Sequence, residues 1–154
     1  MKRRIFLKGS LATGAVGVAV STGLLTPRSA IAAWSKAAFE AKDVNAGVSA
    51  LYGSAGMDDS DKIQIKAPDI AENGAVVPVS VTTSIDGASS ISMFADKNAT
   101  PLTAEFNLGP NTEGYVSTRI KMGKTANVIA VVKAGDKLYS AKKEVKVTIG
   151  GCGG

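Results

Sequence analysis

The side chain best suited to chemistry in this sequence is Cys152, the only cysteine, which stands between two glycine pairs in Gly150-Gly151-Cys152-Gly153-Gly154 at the carboxyl end. Glycine lacks a Cβ and populates both halves of the φ map, so the two pairs give the thiol a hinge with almost no steric shielding. A residue in that setting is not built for a core. The reactive form is the thiolate, and a free cysteine with a pKa near 8.5 is only about a few per cent ionised at pH 7. That permits nucleophilic or redox coupling and supplies no catalytic activation of its own.

The chain contains no histidine, and this excludes more than any motif includes. A thiol protease pair needs an imidazole to draw the proton from sulfur. A blue-copper centre needs two histidines beside its cysteine, and zinc needs several nitrogen or thiolate ligands, which one thiol cannot provide. Asp58, Asp59 and Asp61 invite a calcium reading, but they lack the glycine and terminal glutamate of an EF-hand loop and read as a solvated acidic loop. Gly53-Ser54-Ala55-Gly56 is neither a phosphate-binding loop nor a dinucleotide fingerprint. The sequence therefore predicts no catalytic residue, metal or cofactor. What remains is a thiol on a mobile arm, which fits a carrier that holds a covalent intermediate and offers it to separate enzymes by tethering. Two alternatives stand beside it: an interaction module that forms an intermolecular disulfide through Cys152, and a tail whose cysteine is incidental.

The arm needs a base. Val145-Lys146-Val147-Thr148-Ile149 alternates apolar and polar residues as a half-buried strand does, so the arm is expected to leave directly from a sheet. Cys152 lies three residues past Ile149, a swing of about 10 Å at 3.3–3.6 Å per extended residue. At the other end, Arg3-Arg4-Ile5-Phe6-Leu7-Lys8 precedes an apolar stretch from about Leu11 to Leu25 and the small-residue site Ala30-Ile31-Ala32. Residues 1–32 read as a twin-arginine signal peptide, cleaved after Ala32, which directs the chain to the periplasm. The stretch is short and broken by glycines, whereas a permanent anchor needs roughly 20 apolar residues. In an oxidising compartment a structural cysteine needs a pair, and this chain has one.

Removing the leader takes Lys2, Arg3, Arg4, Lys8 and Arg28 from the 18 basic residues and no acid, leaving 13 basic against 13 acidic residues. The basicity belongs to the leader, and a nucleic-acid reading loses its warrant. The remaining charge is segregated: residues 33–118 hold 5 basic and 11 acidic residues, and residues 119–154 hold 8 and 2. Either a basic surface near the arm attracts anions, or Lys142, Lys143 and Lys146 keep an edge strand soluble.

Residues 33–149 form one expected domain. From Trp34 to about Tyr52, apolar residues recur at spacings of three and four, which predicts one or two short amphipathic helices ended by Gly53, with Trp34 as a packing residue. From Lys62 onward the pattern is β. Seven strands are predicted, near 62–66, 75–83, 91–95, 102–108, 115–122, 127–132 and 138–149, separated by turn material such as Asp86-Gly87 and Gly109-Pro110-Asn111. This predicts a mainly β, immunoglobulin-like antiparallel sandwich with a short N-terminal helical segment and a flexible C-terminal arm, residues 150–154. Pro78 predicts an edge strand or bulge at its position.

The terminal run Val145 to Gly154, behind a twin-arginine leader, resembles that of the SoxY family of thiosulfate-oxidation carriers. So do Met93-Phe94-Ala95-Asp96-Lys97-Asn98-Ala99-Thr100-Pro101-Leu102, Ser117-Thr118-Arg119-Ile120-Lys121-Met122 and Gly135-Asp136-Lys137-Leu138-Tyr139. Ala99 departs from the family's Asn-Pro pattern, which touches a turn only. The resemblance implies an immunoglobulin-like sandwich paired as a heterodimer with SoxZ, a second small sandwich protein without its own export signal. It implies that Cys152 carries the sulfur intermediate as an S-thiosulfonate or persulfide adduct. A c-type cytochrome enzyme would couple thiosulfate to the thiol, a metal-dependent hydrolase would release sulfate, and a sulfane dehydrogenase, where present, would oxidise the remaining sulfur. The chain itself would be no enzyme, and Gly150, Gly151, Gly153 and Gly154 would let the loaded thiol enter narrow active sites.

Overall fold

The computed structural model describes residues 35–148. Residues 1–34 and 149–154, and with them the expectations of a signal peptide, of Trp34 packing and of a flexible arm, lie outside the described residues. Two helices come first, α1 (Lys36–Glu40) and α2 (Val44–Tyr52). Asp43 caps α2, its carboxylate accepting from the Ala46 amide at 2.8 Å. Gly53 closes it at φ 77°, a left-handed conformation suited to glycine, and its N–H donates to the Ser49 carbonyl at 2.8 Å. The break between the helices falls at Ala41–Asp43, so the periodic stretch folds as two pieces.

Nine strands follow: β1 (Asp58–Asp59), β2 (Ile63–Lys66), β3 (Ile70–Ala71), β4 (Val77–Thr83), β5 (Ala88–Ala95), β6 (Leu102–Asn107), β7 (Tyr115–Ile120), β8 (Ala126–Ala134) and β9 (Lys137–Val147). The seven longer ones coincide with the seven strands predicted from the sequence. The two additional ones are two-residue bridges, and both pair in parallel with β9 inside an otherwise antiparallel structure. The larger sheet runs β1-β9-β8-β5-β6 with β3 also on β9, and the smaller runs β2-β4-β7.

The sheets face each other, and alternation along the strands shows which sides meet. In β4, Val77, Val79 and Val81 are fully buried and Thr83 nearly so, while Pro78 and Thr82 are exposed. The smaller sheet thus has one covered face. The larger sheet is covered on both. Ile91, Met93, Val128 and Val132 face the smaller sheet; Phe94, Val131 and Leu138 face the helices, where they meet Ala38 and Val48. This explains why Ile91-Ser92-Met93-Phe94-Ala95 alternates so weakly in sequence, since a strand buried on both faces has no reason to alternate. Gly47 lets α2 settle on the sheet: a Cβ there would meet the Phe94 ring at 2.8 Å.

One expectation is corrected. Pro78 lies in the central strand of its sheet, not at an edge. Its missing N–H still costs nothing. The Ser84 amide donates toward β2 and the Thr83 amide toward the other side, so even-numbered residues of β4 point at β2. β2 stops at Lys66, opposite Ser80, and the nitrogen of Pro78 lies just past its end.

Candidate functional site

The thiol that the sequence singles out, Cys152, and the arm glycines Gly150, Gly151, Gly153 and Gly154 lie outside the described residues. The structure shows the base from which the chain departs toward them. β9 is the longest strand, and all nine residues of β8 register with it, from Ala134↔Lys137 to Ala126↔Val145. Its other side is held at two places, by β1 against Tyr139–Ser140 and by β3 against Lys146–Val147.

The departing end is clamped from several directions. The Lys146 amide donates to the Asp69 carbonyl at 3.0 Å and the Thr148 amide to the Ala71 carbonyl at 3.1 Å. Between them, the Val147 amide donates to Thr125 Oγ1 at 3.0 Å. Gly74 fills the gap beside them. Its carbonyl accepts from the Met122 amide at 2.7 Å, and a Cβ there would collide with the Met122 carbonyl oxygen and approach Val147 Cγ1 at 2.8 Å. The backbone is therefore fixed through Thr148, four residues before Cys152, which leaves about 13–14 Å of extended reach.

Lysine placement corrects the edge-strand expectation. β9 is an interior strand at its departing end, and Lys143 is not a free surface cation. Its Nζ donates to the Ala67 carbonyl at 2.6 Å and pairs with Asp69 Oδ1 at 3.0 Å, which ties β9 to the segment leading into β3. Lys142 and Lys146 are exposed. The acidic run at Asp58–Asp61 contains β1, and Asp59 Oδ1 accepts from the Ser140 hydroxyl at 3.2 Å. Among the described residues no group of three or more potential ligands could hold a metal ion, and no helix is long and apolar enough to cross a membrane.

Sequence reasoning passed over the residues that build this base. Asn73-Gly74 reads as turn material, and Thr125 falls between the strands predicted near 115–122 and 127–132. Asn98 is also structural in a way its neighbours in sequence do not reveal: its Nδ2 donates to the Lys121 carbonyl at 2.7 Å and its Oδ1 accepts from the Gly123 amide at 3.1 Å, joining the β5–β6 loop to the β7–β8 loop.

Comparison with known proteins adds three findings. The profile of the family described as sulfur oxidation protein SoxY matches residues 48–152, a span that ends on the single cysteine. Among solved structures, the chain is similar to the sulfur carrier protein SoxY from Chlorobium limicola f thiosulfatophilum, with 53% sequence identity and a TM-score of 0.61, over 66% of this chain and 93% of that one. No curated protein sequence matches.

Proposed function

The chain belongs to the SoxY family of sulfur oxidation proteins, and from that premise we propose that it is a periplasmic sulfur carrier whose Cys152 holds thiosulfate-derived intermediates covalently. One observation carries the reading. The chain's single cysteine ends the matched span and follows a strand whose departing end is pinned on both sides as far as Thr148. A rigid base gives an arm a defined swing, which is what tethered delivery requires.

The chemistry is simple to balance. Loading joins the Cys152 sulfur to the outer sulfur of thiosulfate; the thiol loses its proton, and two electrons pass to an acceptor, here a c-type cytochrome enzyme. Water then cleaves the terminal sulfur–sulfur bond of the thiosulfonate, releasing sulfate and leaving a persulfide. A sulfane dehydrogenase, where present, oxidises that outer sulfur further. The chain supplies a nucleophile and a place of attachment, and each enzyme supplies activation, because the thiol has no imidazole near it to supply its own. A small SoxZ-like sandwich protein completes the carrier as a heterodimer, and the twin-arginine leader, which moves folded cargo, exports the pair.

Substitution tests the role directly. Cys152→Ser is expected to abolish substrate-dependent turnover in the reconstituted system, while the urea midpoint and the binding of the small partner stay unchanged. Undiminished thiosulfate oxidation by the serine variant would end the carrier reading. Turnover by the isolated wild-type chain would make it an enzyme. Loss of a covalent oligomer together with loss of partner binding would assign the cysteine to an intermolecular disulfide.

A further inference from the structure

At the end of the sandwich where β9 departs, the β5–β6 loop, the end of β7 and the β7–β8 loop enclose an open groove of about 610 Å³. Lys97, Arg119, Lys121 and Lys124 line it, and no carboxylate does. All four are exposed, and among the described residues neither ion pair involves them. The adjoining Asp96 is committed elsewhere, accepting from the backbone and side-chain amides of Asn127, each at 2.9 Å. Glu72 and Glu144, exposed acids of the same end, do not line the groove. Asn98 fixes the walls to each other through its bonds to the Lys121 carbonyl and the Gly123 amide, so the cations stand on a shaped surface. A second groove of about 540 Å³ lies at the opposite end of the sandwich, between the loops at 83–89 and 108–114, and contains Asp86 and no cation.

Charge balance narrows what fits the basic groove. The 13 basic and 13 acidic residues left after the leader all lie within residues 35–148, so the domain has no net charge and acts at a distance as a dipole, positive at the end where β9 departs. Such a field orients an acidic surface; it does not supply the excess of cations that nucleic-acid binding draws on. Leu102 and Ile120, which floor the groove, are each 4% exposed, so it offers little apolar surface. The four cations come from separate segments along an open groove, which matches several carboxylates side by side better than one small ion. Position supplies the rest. Lys124 directly precedes Thr125, whose Oγ1 accepts from the Val147 amide at 3.0 Å. Only four residues separate Thr148 from Cys152, about 13–14 Å when extended, so an enzyme that receives the thiol must bring its rim close to this end of the sandwich.

Building on the carrier reading, we propose that this groove is the docking surface for an acidic protein segment, a cluster of carboxylates at the rim of the enzyme that loads Cys152. Charge complementarity turns this end of the carrier toward the enzyme and holds the two surfaces while the thiol reacts. Exposed ion pairs are individually weak and are screened by salt, so the docking is brief. A carrier that must leave one enzyme for the next needs that.

Two measurements test the proposal. In the first, loading by the c-type cytochrome enzyme is followed with the complete carrier as the varied substrate. Lys121→Glu with Lys124→Glu is expected to raise KM by about tenfold with kcat little changed. Raised ionic strength is expected to raise the KM of the native carrier and to affect the variant far less, while Lys137→Glu, at the other end of β9, leaves both constants as they are. Equal KM values for the native and doubly reversed carriers, or a native KM indifferent to salt, would overturn the docking inference and leave the carrier reading, which rests on Cys152→Ser, untouched. The second measurement needs neither a variant nor an enzyme: amide NMR follows the native protein titrated with hexaglutamate at low salt. The Lys97, Lys121, Gly123 and Lys124 signals are expected to shift together while those of Asp86 and Gly87 stay in place. Absence of those shifts, displacement of the peptide by inorganic sulfate at matched ionic strength, or tighter binding of a single-stranded oligonucleotide at the same residues would each refute an acidic protein segment as the occupant.

Discussion

At the scale of single residues, the polar groups under the helices show how a buried network ties them to the sheet. The Tyr52 hydroxyl donates to Ser92 Oγ at 3.0 Å and accepts from Ser90 Oγ at 3.1 Å, and both serines are buried on β5. Tyr52→Phe leaves two buried hydroxyls short of a partner, so a loss of about 1–3 kcal/mol in urea unfolding is expected; an unchanged midpoint would show that the network contributes nothing. Burial raises the Tyr52 pKa above 10.0, so its contribution to stability is complete below that value and falls away as pH rises through the raised one. Glu105 on β6 follows the same sign. Burial lifts its carboxyl above 4.5, so the fold favours the protonated form and loses that preference's benefit as pH rises. Glu105→Gln should therefore be slightly more stable than the native chain at pH 7, with the gain fading as pH falls through the raised value toward 4.5. A gain that persisted in acid would point to packing instead. Tyr52 ends a visible amphipathic stretch, but nothing in the sequence tells that its hydroxyl meets two serines roughly forty positions away.

At the scale of elements, β9 organises both the core and the departure of the arm. Its alternation and length were legible, as were all seven longer strands, because each buries a face and so carries a period of two or a continuous apolar run. β1 and β3 were not. Two residues carry no period, and Asp58-Asp59 has the composition of a loop; only the edge of β9 makes them strands. The position of Pro78 was misread for a related reason, since the pattern of a strand does not say where its neighbour ends. Gly74 supplies the element-scale prediction. Gly74→Ala pushes a methyl group into the Met122 carbonyl and Val147, and overpacking of this kind costs about 1–3 kcal/mol. The amide signals of Met122, Val147 and Thr148 should move together while those of α2 stay in place. Movement confined to Gly74's immediate neighbours in sequence would mean that the arm's base does not depend on it.

At the scale of the whole molecule, the smaller sheet, the larger sheet and the helices form successive layers, and the proposed carrier role assigns the chemistry to Cys152, outside the described residues. That assignment rests on composition, in which one cysteine stands without any histidine. The gathering of Lys97, Arg119, Lys121 and Lys124 along one open groove was not readable. The sequence shows an excess of positive charge after Arg119, but Lys97 lies more than twenty residues earlier, and the loops are brought together only by the packing of β5 and β7 against the rest and by Asn98. The apparent anion-attracting candidate, Lys143, is instead occupied within the fold. The central claim is that Cys152 carries sulfur. Its most direct test is the intact mass of the exported protein, purified without reductant from thiosulfate-exposed cells and measured before and after reduction. The account predicts a reductant-labile sulfur or thiosulfonate adduct confined to the peptide containing Cys152. A bare thiol throughout turnover, or only a disulfide-linked dimer, would contradict it.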